Sequence, residues 1–265
     1  MQEGSECVDR QGESVVNWNP ISRKGTECMI DTILFDLDGT LLPMDQELFV
    51  KTYLGLLAEY LAPYEYEPAV LVKTVWDGTA AMVRNNGEKT NEEVFWQVFR
   101  ERYGPRADSD RELIAEFYAT GFAKARISCG FEPRAAGLLA LVKNKGYRVV
   151  LATNPLFPRT ATMQRIRWAG LDPADFELVT TYDNSCFCKP NPEYYREILK
   201  KVGAAPERCL MVGNDGREDA AAAAKLGMRT FLVTDCLLHG AEAPEGTPGG
   251  SFGDLIALVN ALPGA

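Results

Sequence analysis

Histidine is almost missing from this chain: His239 is the single one in 265 residues. That excludes a His-rich metal centre, and it excludes any Ser-His hydrolase needing more than that one base. His239 itself reads as a surface loop residue. Positive charge is also short, with 28 Lys and Arg against 37 Asp and Glu and a net charge of −9. An acidic chain repels nucleic acid and anionic membranes, so neither is an expected partner. An anionic substrate would need a local cation. No apolar run reaches the ~20 residues of a membrane span. Residues 1–28 lack an apolar signal core and the basic, acid-poor character of a transit peptide. The seven cysteines are odd in number and show no paired framework. Cys186 and Cys188 sit too close for a zinc pair and have no His nearby. The expectation is a cytoplasmic protein with reduced thiols.

What is present is ordinary globular composition, 46% apolar and 25% charged, in a chain long enough for a sizeable core. Residues 1–28 are polar with little periodicity and are expected to be a disordered N-terminal extension, with Met29 as the natural start. From about Pro43 to Gly130 the pattern is helical. Leu48, Tyr53, Leu56, Leu57 and Leu61 recur at helix spacing, Val75 and Trp76 continue the pattern, and Thr90 with Glu93 forms a capping box. A further helix is expected from Asp108 to Ala125, with Leu113, Phe117, Phe122 and Ala123 inward. After Pro133, helices alternate with short apolar strands at Tyr147–Thr153, Phe176–Thr180, Cys209–Gly213 and Thr230–Val233. A Gly/Pro-rich loop then runs to Gly250, and Ser251 with Asp254 opens a last helix. Alternation of this kind predicts an α/β fold with a doubly wound, Rossmann-like parallel sheet. The expected organisation is a core of residues 29–43 and 131–265, with residues 44–130 inserted as an all-helical cap.

The strand that starts the core, Ile33-Leu34-Phe35, runs into Asp36-Leu37-Asp38-Gly39-Thr40. Two carboxylates at a strand's carboxyl end repel and lose hydration, so something must compensate them, most simply a hard divalent cation. The other strands also end in polar residues: Thr153-Asn154, then Gly213-Asn214-Asp215 with Asp219 a turn later, while Lys189 precedes a helix. In an open α/β sheet these ends meet at one edge. Together they suit phosphoryl transfer. Asp36 would attack phosphorus, and Asp38 would protonate the leaving oxygen and later activate water. Magnesium would be held by Asp36, the Asp38 backbone carbonyl and Asp215. Lys189 would supply fixed positive charge, and Gly39, Thr40, Thr153 and Asn154 would complete the phosphate contacts.

In this order the motifs resemble the haloacid dehalogenase-like (HAD) superfamily over roughly residues 30–236. Asp36-Leu37-Asp38-Gly39-Thr40 matches its first motif, with Asp36 as nucleophile and Asp38 as acid/base. Thr153 matches the second, Lys189 the third, and Asp215 with Asp219 the acidic fourth. The resemblance implies a cap that closes over the site. In the fourth motif Asn214 stands directly after the Gly, where many relatives have Asp. The second metal ligand is therefore expected to be Asp215, with Asn214 and Asp219 as alternatives, and an Asn ligand would leave one charge fewer for Mg2+. The resemblance implies that dehalogenases of this family lack the second acid, so Asp38 favours phosphoester hydrolysis over dehalogenation. The expected activity is a magnesium-dependent phosphatase acting on a small phosphorylated metabolite through an aspartyl phosphate. A sugar-phosphate mutase of the same family and a non-catalytic phosphate-binding regulator are the alternatives.

Overall fold

The computed structural model describes residues 29–265. The expectation of disorder over residues 1–28 lies outside the described residues.

Among the described residues, six strands form one parallel sheet in the order β3-β2-β1-β4-β5-β6. They are β1 (Thr32–Phe35), β2 (Arg148–Leu151), β3 (Leu178–Val179), β4 (Cys209–Gly213), β5 (Arg229–Val233) and β6 (Gly249–Gly250). β1 is apolar on both faces because both are covered. Ile33 and Phe35 pack into one core cluster, and Leu34 packs into the other with Tyr194, Tyr195 and Met211. β1 lies between β2 and β4, with Phe35 opposite both Leu151 and Val212. The chain winds outward from β1 to β3 on one side and from β4 to β6 on the other. The crevice at the carboxyl ends of β1 and β4 is thus the switch point where such sheets bind ligands.

The sixth strand was not expected from the sequence. Gly249 and Gly250 leave the Gly/Pro loop to pair with Leu232 and Val233. A Cβ at Gly249 would lie 2.9 Å from the Leu232 carbonyl oxygen, so the approach requires glycine.

Between β1 and β2 run α1 (Gln46–Leu61), α2 (Pro68–Val83), α3 (Asn91–Tyr103), α4 (Arg106–Ser109) and α5 (Arg111–Glu116), then a π-helical turn and a 3-10 stretch to Ser128. The chain leaves and re-enters side by side: Met44 bridges Cys129, and Gly130 N–H donates to the Pro43 carbonyl at 2.7 Å. The expected helix from Asp108 to Ala125 is broken at Asp110. The Asp110 side chain instead accepts from Tyr66 and Arg106, each at 2.8 Å. Leu48 and Trp76 are each half exposed and Ala123 is exposed, contrary to expectation. The buried stripe of α1 runs through Phe49, Tyr53, Leu54, Leu57 and Leu61, one residue away from Leu48. The stripe packs with Phe117, Tyr118 and Phe122 around Phe157, which follows β2, so this aromatic cluster ties the helices to the sheet half.

Thr90 caps α3, with the reciprocal Glu93 bond present. The next residue, Asn91, is fully buried. Its amide reaches the Pro155 carbonyl at 3.3 Å and Cys188 Sγ at 3.2 Å, and it accepts from Asn85 at 2.9 Å. The polar turn at 85–91 therefore docks the helices onto the loops that carry Thr153 and Lys189.

Candidate active site

β1 delivers Asp36 at its end, and the turn that follows is closed by Gly39 N–H to the Leu42 carbonyl at 2.8 Å. Gly39 has φ +88°, and a Cβ there would collide with the Asn214 side chain at 2.2 Å. Glycine is thus required both for the turn and for bringing the β1 and β4 loops together. Thr40 fills the gap: its hydroxyl lies 3.3 Å from Asp36 Oδ2 and 3.2 Å from Asn214 Oδ1.

Lys189 is buried, and its Nζ donates to Asp36 Oδ1 at 2.8 Å and Asp219 Oδ1 at 2.6 Å. Asp219 is anchored in turn, its Oδ2 accepting the N–H groups of Asn214 and Asp215 at 3.0 Å each. One lysine thus serves two carboxylates. Burial pushes the Asp36 carboxyl up from 3.8 to about 7; Lys189 opposes this, and Asp219 and Asp38 add to it. Burial alone would pull Lys189 down, but Asp219 and Asp36 outweigh it and hold the ammonium well above its usual range. The surroundings of Asp36 are therefore short of positive charge.

Thr153 and Asn154 follow β2. Thr153 is buried, and its carbonyl is fixed by Thr180 Oγ1 at 2.6 Å and the Tyr194 hydroxyl at 2.8 Å. Asn154 accepts from Lys189 N–H at 3.3 Å and donates to Glu218 at 3.1 Å. Asp36, Asp38, Thr153, Asn154, Lys189, Asn214, Asp215 and Asp219 all line one cavity of about 50 Å3, together with Gln46 and Glu218. A larger cavity of about 340 Å3 lies between α1, α2, α3 and α5 on one side and Leu156, Phe157, Pro158 and Tyr182 of the sheet half on the other, but its lining is mostly apolar and holds none of these groups.

Three features of this site went unseen in the sequence. Glu218 is mostly buried, and its carboxyl is raised by that burial, with Lys189 opposing and Asp215 and Asp219 adding. No motif marked it, since it lies inside the Asp215–Asp219 interval. His239, read as a surface loop residue, does lie in a loop, but its Nδ1 is 2.7 Å from Asp215 Oδ2. After α6 (Ala135–Asn144) and β2 comes α7 (Arg159–Trp168), whose Arg165 is buried and pairs with Asp38. Asp215 itself is the N-cap of the following π-helical turn, Oδ1 accepting from Arg217 and Glu218 N–H at 2.8 Å each. Both its oxygens are engaged, whereas the oxygen beside the Thr40 hydroxyl belongs to Asn214. At that place in the sequence a capping Asp and a ligating Asp look alike.

No three His, Cys, Asp or Glu groups among the described residues converge closely enough to hold a metal. The oxygens that gather around this cavity are those of carboxylates, side-chain amides and the Thr153 hydroxyl. Such a hard, oxygen-only donor set suits magnesium, and the excess negative charge of Asp36 and Asp219 on one lysine gives it a reason to bind.

The chain is similar to known proteins in sequence and in fold. YhcW of Bacillus subtilis (strain 168) is 29% identical over 215 residues, covering 77% of this chain and 84% of that protein. Pyrophosphatase PpaX of Bacillus cereus (strain AH820) is 27% identical over 205 residues, covering 77% and 83%. Among solved structures, the HAD phosphatase of Thermococcus onnurineus superposes with a TM-score of 0.56 at 17% identity, covering 89% of this chain and all of that one. No helix among the described residues is long and apolar enough to cross a membrane. The model of the haloacid dehalogenase-like hydrolases matches residues 30–227, three quarters of the sequence and every motif from Asp36 to Asp219, and the chain belongs to that family.

Proposed function

We propose that this protein is a magnesium-dependent phosphohydrolase acting on a small phosphorylated metabolite, with residues 44–130 as its cap. The observation that carries this reading is the buried Asp36, held by Lys189 through Oδ1 at the switch point, with Oδ2 still turned to the Thr40 hydroxyl. Asp36 attacks phosphorus, the bond to the leaving oxygen breaks, and Asp38 gives that oxygen a proton. Water, deprotonated by Asp38, then cleaves the aspartyl phosphate and returns Asp36. Lys189 orients Asp36 and offsets the charge of the transferring group, to which Thr153 and Asn154 also lie close. Asp36, the Asp38 carbonyl and Asn214 Oδ1 would hold Mg2+, with Asp215 behind them as cap. The ion, when bound, would neutralise phosphate and carboxylate oxygens.

A panel of phosphorylated metabolites, extended to inorganic pyrophosphate because of the PpaX likeness, is expected to yield free phosphate with magnesium and none with EDTA. Isomerised sugar phosphate would indicate a mutase instead, and no reaction across the panel would favour a binding role.

The ligand assignment has its own test. Asn214→Asp adds a charge and is expected to tighten magnesium binding about tenfold. It also replaces the Nδ2 donor to the Cys236 carbonyl at 2.7 Å, so the metal-free protein should lose about 1–3 kcal/mol. Both effects are read from Tm during a magnesium titration. An unchanged affinity, with affinity lost in Asp215→Asn, would move the ligand to Asp215.

A further inference from the structure

The buried Arg165 takes no direct part in the phosphoryl transfer. It lies on the inner face of α7 with Ala161, Thr162, Ile166 and Trp168, whereas Arg167 on the same helix is exposed. Its Nη1 pairs with Asp38 Oδ2. Its Nη2 lies 3.4 Å from the Thr162 hydroxyl, and its guanidinium carbon sits 4.5 Å over the Phe157 ring. Its Nε is buried without a partner.

A buried ion pair of this kind contributes little net stability, and the unpartnered Nε is a further cost. An apolar side chain of similar length would serve α7 better. The arrangement does give Asp38 a defined orientation. One carboxyl oxygen, Oδ2, is tied to a guanidinium that is itself clamped between a ring and a hydroxyl. The other, Oδ1, is buried and has no partner in the protein. Asp38 sits in a turn just past the sheet, where an untethered side chain would have free choice of rotamer.

We propose that Arg165 is the positioning residue for the acid/base: it fixes Asp38 by Oδ2 and leaves Oδ1 unbonded for the leaving oxygen, with Phe157 and Thr162 holding the guanidinium in place. The inference rests on the phosphatase reading and adds to it a residue outside the four motifs. Its consequence is selective. A leaving group that departs as a stable anion needs little help from Asp38, whereas an alkoxide needs a correctly placed proton.

The test compares an alkyl phosphate with nitrophenyl phosphate, both with magnesium. In Arg165→Gln, the ratio of kcat/KM for the alkyl ester to that for the nitrophenyl ester is expected to fall about 100-fold, mainly through kcat. Asp38→Asn should lower the same ratio by a similar factor, and the double variant should go no lower than Asp38→Asn alone. Arg165→Lys should recover part of the ratio. Phe157→Leu should lower it less than Arg165→Gln, and these two variants carry the test if Arg165→Gln does not fold. A purely structural Arg165 would reduce both substrates equally, and an unchanged ratio or an additive double variant would overturn the role. If the unaltered protein releases phosphate from neither ester, the phosphatase reading fails and this role with it; a protein that cleaves both but keeps its ratio in Arg165→Gln refutes the role alone.

Discussion

Asp36→Asn is expected to reduce phosphate release by at least about 10⁴-fold and, without magnesium, to make the protein more stable above pH 7 than the unaltered chain. The loss of activity follows from removing the attacking oxygen. The gain in stability follows from the environment of Asp36. Its carboxyl is raised by burial from 3.8 to about 7 in the fold, so between those values the folded chain keeps a proton that the unfolded chain releases. Stability therefore falls as pH rises through this window and stays at its reduced level above it. A rise of this size corresponds to a few kcal/mol, about 4 at the upper bound. An amide does not titrate and escapes that loss. Glu218 is raised in the same direction, so a smaller slope of the same sign should remain. Tm measured in EDTA from pH 5 to 8 should drop for the unaltered protein and much less for Asp36→Asn. Added magnesium should restore the former at pH 8 and act weakly on the latter. Equal slopes in the two proteins would remove Asp36 as the origin.

Lys189→Met should be the most destabilising single change at the site. Nζ is the shared cation of Asp36 and Asp219, both buried, at 2.8 and 2.6 Å. Removing it leaves two uncompensated carboxylates with Asp38 close by. Breaking a buried pair in this way costs about 3–5 kcal/mol, which for a chain of this size lowers Tm by about 10 °C or more. Magnesium should return part of the loss, because it supplies charge at the same place. Combining Lys189→Met with Asp36→Asn should be more stable than Lys189→Met alone, since one of the stranded carboxylates is gone. Differential scanning calorimetry of the three variants decides it. A Tm within about 2 °C of the unaltered protein for Lys189→Met would show that water, rather than the lysine, compensates the acids.

Much of this site is legible in the amino-acid sequence. Asp36, Asp38, Thr153, Lys189 and Asp219 can be placed because each follows a short apolar run or precedes a helix, and the alternation of those elements dictates that the strand ends meet. The helix caps at Thr90 and Ser251 are equally local and are present as expected. Periodicity does less well where a stripe can shift by one residue, as at Leu48, and where two glycines can pair as a strand only because Leu232 lies beside them.

The sequence by itself determined the α/β architecture and the order of the polar strand ends, since both depend on interactions within a few residues. Tertiary structure alone decided how the charges are shared. It put one lysine between Asp36 and Asp219, turned Asp215 into a helix cap bonded to His239, faced Asn214 toward Thr40, brought Glu218 into the cavity, and set Arg165, 127 residues away in the chain, against Asp38. These pairings depend on distance and burial across the sheet, and neither quantity is encoded in the spacing of residues along one strand or one helix.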